Sequence, residues 1–159
     1  WTEAVAFCTQ LTTQEQAAGR LPAGWAYVLP TESQWEYACR AGTTTAYSWG
    51  NTIASSNANW NHGADLNQTV DVGQFSANPW GFFDMHGNVW EWTADWYQAA
   101  YPTGNPVADP SGPASGSDRV LRGGSWYNGG TYLRSAGRHH DPPSFRFHSL
   151  GFRVGFQQQ

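Results

Sequence analysis

Lysine is absent from this chain of 159 residues, and charged residues of all kinds make up only 13% of it. The eight basic residues are all arginines, they form no basic run, and the formal net charge is −4. Nucleic-acid-binding proteins carry a basic patch, so we expect no nucleic acid as the partner. No apolar run approaches the roughly 18 residues of a membrane-spanning helix, so we expect no membrane insertion.

Cysteine is nearly as scarce, since the chain has only Cys8 and Cys39. Two thiols do not make the disulfide framework of a small secreted domain. Both lie in segments with helical periodicity, where we expect them to act as small buried hydrophobic residues. Pairing between them stays open at this point, and the cellular compartment is not readable from them.

Aromatic residues are abundant at 16% with ten tryptophans, and glycine and proline number 18 and 9. This composition favours a loop-rich aromatic core over a helical bundle, in a chain about one domain long. Helical spacing predicts a helix over 1–11. A capping box at Thr31 and Gln34 predicts a second helix ending at Gly42.

Short strands are predicted at 27–29, 89–93, 119–126 and 151–154, with a bulge or close backbone approach at the two glycines 123–124. The stretch between 42 and 78 is polar and rich in turn residues. The glutamines at 157–159 read as a frayed end.

Five motifs extend along nearly the whole chain in a fixed order: LPTESQWEYA (29–38), DMHGNVWEWT (84–93), RVLRGGSW (119–126), LRSA (133–136) and GFRV (151–154). Together they resemble the formylglycine-generating enzyme (sulfatase-modifying factor) family. The resemblance implies an α+β, C-type lectin-like fold with two helices, small twisted antiparallel sheets and much irregular loop. It also implies that residues 1–159 are a single domain, shortened on its N-terminal side relative to the family.

The family's oxidase binds copper through two cysteines shortly after the Gly-Gly-Ser-aromatic motif. Residues 127–133 occupy that region here and contain no cysteine. A soft Cu(I) site needs thiolate ligands. We therefore predict no copper, no catalytic residues and no formylglycine-generating activity. The alternatives are an oxidoreductase with an unrecognised site and an accessory domain of a larger surface protein.

Residues 125–154 combine an ordered frame with an unpatterned filling. The frame comprises 133–136, Arg138, Arg146 and 150–154. The filling, within a variable region of about 126–149, supplies the predicted ligand-binding residues: Tyr127, Asn128, Gly129, Thr131, Tyr132, Gly137, His139, His140, Asp141, Ser144, Phe145, Phe147, His148 and Ser149.

Every residue type in the filling has a codon that differs from an asparagine codon only at its first two adenines. Glu and Gln, which are not reachable in that way, are missing from 127–149. This pattern resembles the variable repeat of a diversity-generating retroelement, whose variable proteins bind ligands through a C-type lectin-like fold. The alternative is an ordinary divergent loop of a non-catalytic family member.

The resemblance implies that the ligand is a protein or a glycan. It also implies that the protein is a monomer or part of a longer chain. Variable proteins of this kind occur on phage tails, on cell surfaces or in the cytoplasm of prokaryotic hosts. Tyr with Ser, Gly and Asn is also the composition of antibody binding loops.

We expect no zinc at the three histidines of the filling, because adjacent imidazoles rarely face one metal. The frame arginines, Arg134, Arg138, Arg146 and Arg153, are expected to hold the loop, with anion capture as the alternative.

Calcium is a second metal that the resemblance suggests, and its ligand residues are present in this chain. One family site maps onto the side chains of Asp84 and Glu91 and the carbonyls of Gly87 and Val89. A second maps less cleanly onto Asn59, the Trp60 carbonyl and Asp65 or Asn67. The alternative is that the acidic side chains bond loop amides or arginines. Calcium prefers such carboxylate and carbonyl oxygens.

Overall fold

A computed structural model describes residues 1–62, 67–100 and 108–159 as two helices and six short strands joined by long irregular segments. The elements, in chain order, are α1 (Thr2–Ala17), β1 (Trp25–Val28), α2 (Glu32–Arg40), β2 (Trp90–Trp96), β3 (Arg119–Arg122), a 3-10 turn (Gly130–Leu133), β4 (Arg138–Asp141), β5 (Leu150–Phe152) and β6 (Gly155–Gln158). Within the described ranges, no helix has the length and apolar character needed to cross a membrane.

Both predicted helices are present. α1 extends to Ala17, beyond the predicted end, and buries Cys8 on one face. α2 begins with the predicted capping box, because the Thr31 hydroxyl accepts the backbone N–H of Gln34 and the Gln34 side chain accepts that of Thr31. It ends at Arg40, before a left-handed Ala41 with φ of 47°.

The strands form two small sheets, one with the order β4-β3-β2-β5 and one that pairs β1 with β6. The expectation of purely antiparallel sheets is wrong at one place, since β5 pairs with β2 in parallel. The expected frayed end is wrong as well: Gln157 and Gln158 pair with Ala26 and Trp25. Strand β4 was not predicted, because its sequence Arg-His-His-Asp lacks apolar alternation and pairing with β3 supplies its backbone bonds.

The core lies between α1 and the central strands, where Trp90, Trp92 and Leu121 pack together. Both cysteines are buried and unpaired, which confirms their predicted role. The predicted close approach is also confirmed, because a β-carbon at Gly124 would lie 2.7 Å from Leu133 Cδ1 and Gly124 has a φ of +72°. The glycine after β3 thus lets the buried Leu133 pack directly against the backbone.

Candidate binding surface

Three separate stretches of the predicted variable region meet at Trp90 of β2. The indole N–H of Trp90 donates to Asn128 Oδ1 at 2.8 Å, and its backbone N–H donates to the Ser149 carbonyl at 2.8 Å. Its ring centroid lies 5.3 Å from that of His139. Because Trp90 is itself buried, one fixed side chain positions residues that are distant in sequence.

Nine of the predicted ligand-binding residues are exposed. We name them the C-terminal surface: Tyr127, Gly129, Thr131, Tyr132, His139, Ser144, Phe145, Phe147 and His148. Its four large side chains keep between 41% and 57% of their area in solvent. Several rings touch, with centroids 4.0 Å apart for Phe147 and His148 and 6.1 Å apart for Phe145 and Phe147.

Three predicted ligand-binding residues belong to the supporting frame instead. Ser149 is buried beneath the surface. Asn128 is half-buried, and its Oδ1 accepts both the Trp90 indole N–H and the Ser125 hydroxyl. Gly137 has no room for a side chain, because a β-carbon would lie 2.5 Å from the Tyr132 carbonyl oxygen. These three residues therefore support the surface, and the solvent-facing members of the filling remain the predicted ligand-binding residues.

The remaining two, His140 and Asp141, are half-buried on β4. His140 stacks on Tyr97 at 3.8 Å, and its Nδ1 lies 2.8 Å from Asp118 Oδ2. Burial raises the pKa of the Asp141 carboxyl. In the part of the chain that the structure describes, no three His, Cys, Asp or Glu side chains gather into a metal-binding group.

The four frame arginines hold the segment through carboxylates and carbonyls. Arg138 and Arg153 each make two bonds of 2.6 to 2.8 Å to one glutamate. Such bidentate, charge-assisted pairs are among the stronger hydrogen bonds in proteins. The predicted role is confirmed by four partners: Glu32 for Arg138, Glu91 for Arg153, Glu3 for Arg146, and the Thr131 carbonyl for Arg134.

The first predicted calcium site lines one cavity of about 470 Å³, together with Arg153. Glu91 accepts two N–H groups of Arg153 and the indole N–H of Trp35 at 2.6 Å. Asp84 accepts the backbone N–H of Gly73 at 2.7 Å. This geometry matches the alternative in which both carboxylates bond an arginine and a loop amide, so the guanidinium already supplies the positive charge.

The second predicted calcium site has a different character. Asn59 is 1% exposed, and its Oδ1 has no hydrogen-bond partner among the residues that the structure describes. Its amide nitrogen is fixed by bonds to the Gln68 carbonyl and to Asn88. Trp60 follows it directly, whereas Asp65 lies outside the described residues. The described residues therefore leave one buried oxygen at this site without a partner.

Two buried side chains that support the surface were missed by sequence reasoning. Arg122 is fully buried and donates to the carbonyls of Ser135 and Gly137. His86 donates its Nδ1–H to the Leu133 carbonyl at 2.6 Å, and burial lowers its pKa to about 4. Both lie inside the recognised motifs, but their partners are far away in sequence, so no local signal identified them.

Neither thiol belongs to the C-terminal surface. Cys39 is fully buried on α2, and burial raises the pKa of its thiol to about 12. Cys8 is buried on α1, where burial also raises its thiol pKa. A reactive or metal-binding cysteine needs an accessible thiolate. Neither cysteine satisfies that requirement.

Comparison with known proteins gives the family context. The family model of the sulfatase-modifying factor enzyme 1-like domain matches residues 1–157. The formylglycine-generating enzyme of Mus musculus is 35% identical over 169 residues, covering 96% of this chain and 41% of that enzyme. A relative from Streptomyces coelicolor with the same name is 36% identical over 142 residues and covers 79% of this chain and 45% of the relative. The chain thus spans less than half the length of these relatives.

Two solved structures are similar to this fold. Treponema denticola variable protein 1 has a TM-score of 0.77 and 38% identity, over 84% of this chain and 48% of that one. PvdO from Pseudomonas aeruginosa has a TM-score of 0.84 and 27% identity, over all of this chain and 60% of that one.

Proposed function

Because this chain belongs to the family of the sulfatase-modifying factor enzyme 1-like domain, we propose that it is a non-enzymatic, hypervariable ligand-binding protein of a diversity-generating retroelement. The observation that carries the proposal is the C-terminal surface itself. Nine chemically varied residues are exposed there, whereas Leu133 and Ser135 of the frame are buried and Arg138 and Arg146 are paired with glutamates. A similar structure bears the name variable protein, which supports this choice.

The fold type follows from the same family. We assign the chain to the C-type lectin-like fold, supported by its two helices, its small mixed sheets and its long irregular segments. Such a frame suits display, because exposed substitutions leave the core and its hydrogen bonds unchanged. The aromatic residues of the surface supply rigid contact area for a protein or glycan ligand. Localisation on a phage tail, on a cell surface or in the cytoplasm belongs to the same proposal.

The enzymatic alternative is weaker on chemical grounds. Many relatives are named formylglycine-generating enzymes, but residues 127–133 hold no cysteine. The two thiols that the chain does have are buried, and burial raises their pKa values. Copper-dependent oxygen consumption with a cysteine-containing peptide would instead establish the oxidase function.

Simultaneous substitution of Tyr127, Tyr132, Phe145 and Phe147 by serine tests the display role. We expect the melting temperature to change by no more than about 2 °C, because these side chains are exposed and add little to the core. Trp92→Ser is the matched control, since that aromatic side chain is buried and its loss should unfold the protein. Unfolding of the fourfold variant in circular dichroism would show that the surface aromatics are core residues.

The flanking DNA provides a second, independent test. We expect a near-copy of the segment encoding 125–154 next to a reverse transcriptase gene, with asparagine codons at the filling positions. We expect less variation at Asn128, Gly137 and Ser149 than at the other filling positions, because substitution at these three disturbs the frame. A genomic sequence without a template repeat would contradict the retroelement assignment while leaving a binding role to be judged by the surface variants.

We also propose calcium at the second site, with Asn59 and Asp65 as side-chain ligands and Trp60 as a carbonyl ligand. The unsatisfied Asn59 Oδ1 supports it, because a buried oxygen without a partner costs free energy that a cation would recover. We expect calcium to raise the melting temperature by several degrees and a chelator to reverse the shift. Asn59→Ala should remove the shift, whereas Glu91→Gln should keep it. Equal melting temperatures of the wild type with calcium and with chelator would contradict the proposal.

A further inference from the structure

A concave site lies outside residues 125–154, between the loop around Trp49 and the loop around Asn78. The cleft has a volume of about 320 Å³. Its polar walls are formed by Ser48, Ser56, Asn57, Ser76 and Asn78, and its aromatic wall by Trp49. None of its residues belongs to the C-terminal surface. None of the described residues that line it carries a charge.

Trp49 is held rigidly at the cleft. The Tyr47 ring stacks parallel to it, with centroids 5.2 Å apart and an angle of 1°. The His86 ring meets the Trp49 ring edge-on, with centroids 4.6 Å apart. The indole N–H of Trp49 donates to the Thr52 carbonyl at 2.9 Å. The indole is nevertheless 37% exposed. The structure therefore presents a fixed aromatic ring to solvent without the entropy cost of ordering it on binding.

The polar walls have hydrogen-bonding capacity left for a ligand. Asn78 is internally satisfied, because its amide donates to the carbonyls of Ala38 and Cys39 and its oxygen accepts two backbone N–H groups. This fixes one loop. Among the described residues, the hydroxyls of Ser48, Ser56 and Ser76 and the amide nitrogen of Asn57 make no hydrogen bond.

We propose that this cleft binds a neutral saccharide. A sugar ring has one face of C–H groups, which the electron-rich face of an indole attracts, and a rim of hydroxyls that bond to serine and asparagine. The lining carries no cationic side chain, which disfavours phosphorylated or carboxylated ligands, because their desolvation would not be compensated; the one carboxylate nearby, Asp84, lines the adjoining space that shares Trp49 and Asn78 with the cleft. A cleft of about 320 Å³ is at the small end of ligand sites and accommodates one or two sugar units.

A direct binding assay tests the proposal without relying on the C-terminal surface. The probes are glucose, galactose, mannose, N-acetylglucosamine, cellobiose and chitobiose, with glucose 6-phosphate, glucosamine and a capped neutral tetrapeptide as competitors from other classes. Saturation-transfer NMR detects binding, and calorimetry measures it. We expect at least one neutral saccharide to bind with a Kd of about 1 mM or below.

Variants then locate the site. Trp49→Ala should weaken the saccharide about tenfold, and Ser76→Tyr, an exposed position that fills the cleft, should do the same. Trp80→Ala is the matched control, because Trp80 is an exposed tryptophan outside the cleft lining, and it should bind like the wild type. If Trp49→Ala unfolds, Ser76→Tyr decides. Any of three results would overturn the proposal: no saccharide binding at about 10 mM, tighter binding of a charged sugar or of the peptide, or an unchanged saccharide affinity in Ser76→Tyr.

Discussion

We expect Arg122→Met to lower the free energy of unfolding by about 3–5 kcal/mol, because it removes a fully buried cation, leaves two carbonyls without their donor, and takes from Glu36 and Glu32 one of the two arginines that face each of them. Arg122 is fully buried, and its guanidinium bonds the Glu36 carboxylate and lies 3.7 Å from Glu32. It also donates to the Ser135 carbonyl at 2.8 Å and to the Gly137 carbonyl. Methionine keeps most of the side-chain volume, so the loss measures charge pairing rather than a cavity. Chemical denaturation measures it.

Two further variants separate this effect from a general sensitivity to arginine loss. Arg20→Met removes an exposed arginine paired with Glu15 and should leave the denaturation midpoint nearly unchanged. Adding Glu36→Gln to Arg122→Met should change the stability by less than about 1 kcal/mol, because Glu36 keeps its half-exposed pair with Arg40 when Arg122 is lost. A loss below about 1 kcal/mol for Arg122→Met would show that this buried pair contributes no more than a surface salt bridge.

Acid should destabilise the fold through His86. The unfolded imidazole takes up a proton near pH 6.5, whereas burial lowers the pKa of the folded side chain to about 4. Between these values the unfolded state binds more protons, so stability falls as the pH falls and the loss is complete below pH 4. The full loss is about 3 kcal/mol. The hydrogen bonds of the ring explain why protonation is unfavourable in the folded state. Nδ1 donates to the Leu133 carbonyl and Nε2 accepts the Ser48 N–H, so a proton added at Nε2 would point at the Ser48 donor.

Denaturation curves recorded from pH 7 to pH 4 measure this loss. His86→Gln should be less stable at pH 7, because it loses one bond to Leu133 in the 3-10 turn and one from Ser48, but its stability should fall less over this pH range. His148→Gln is the matched control, since that histidine is exposed on the C-terminal surface, and it should keep the full dependence. An unchanged pH dependence in His86→Gln would assign the acid sensitivity to other groups.

Local chemistry was readable from the sequence. The capping box at Thr31 depends on two bonds that span three residues, and both form. The frame arginines were correctly predicted as supports, because an arginine in a regular motif most often pairs with a carboxylate. The division into frame and filling also predicted that Leu133 is buried whereas Tyr127 and Phe147 are exposed, because the frame positions carry mainly apolar residues and arginines.

Long-range packing was not readable in the same way. Asn128 resembles the other filling residues, yet it bonds Trp90, which lies 38 positions away. Ser149 belongs to the same compositional class, and its carbonyl accepts the backbone N–H of Trp90, which is even more distant from it in sequence. Glu91 was a candidate calcium ligand in the sequence, and the fold places Arg153, 62 residues later, against it.

The sequence by itself therefore determined the family, the helix starts, the division of residues 125–154 into frame and filling, and the lack of an accessible thiol near the motif. Only the tertiary structure decided which filling residues reach solvent, which acidic groups are already paired, and that Trp49 stands at the wall of a polar cleft. The physical reason is the range of the interactions. Caps and periodicities act within a few residues, whereas burial and ion pairing depend on contacts between segments as far apart as Glu32 and Arg138, 106 positions away.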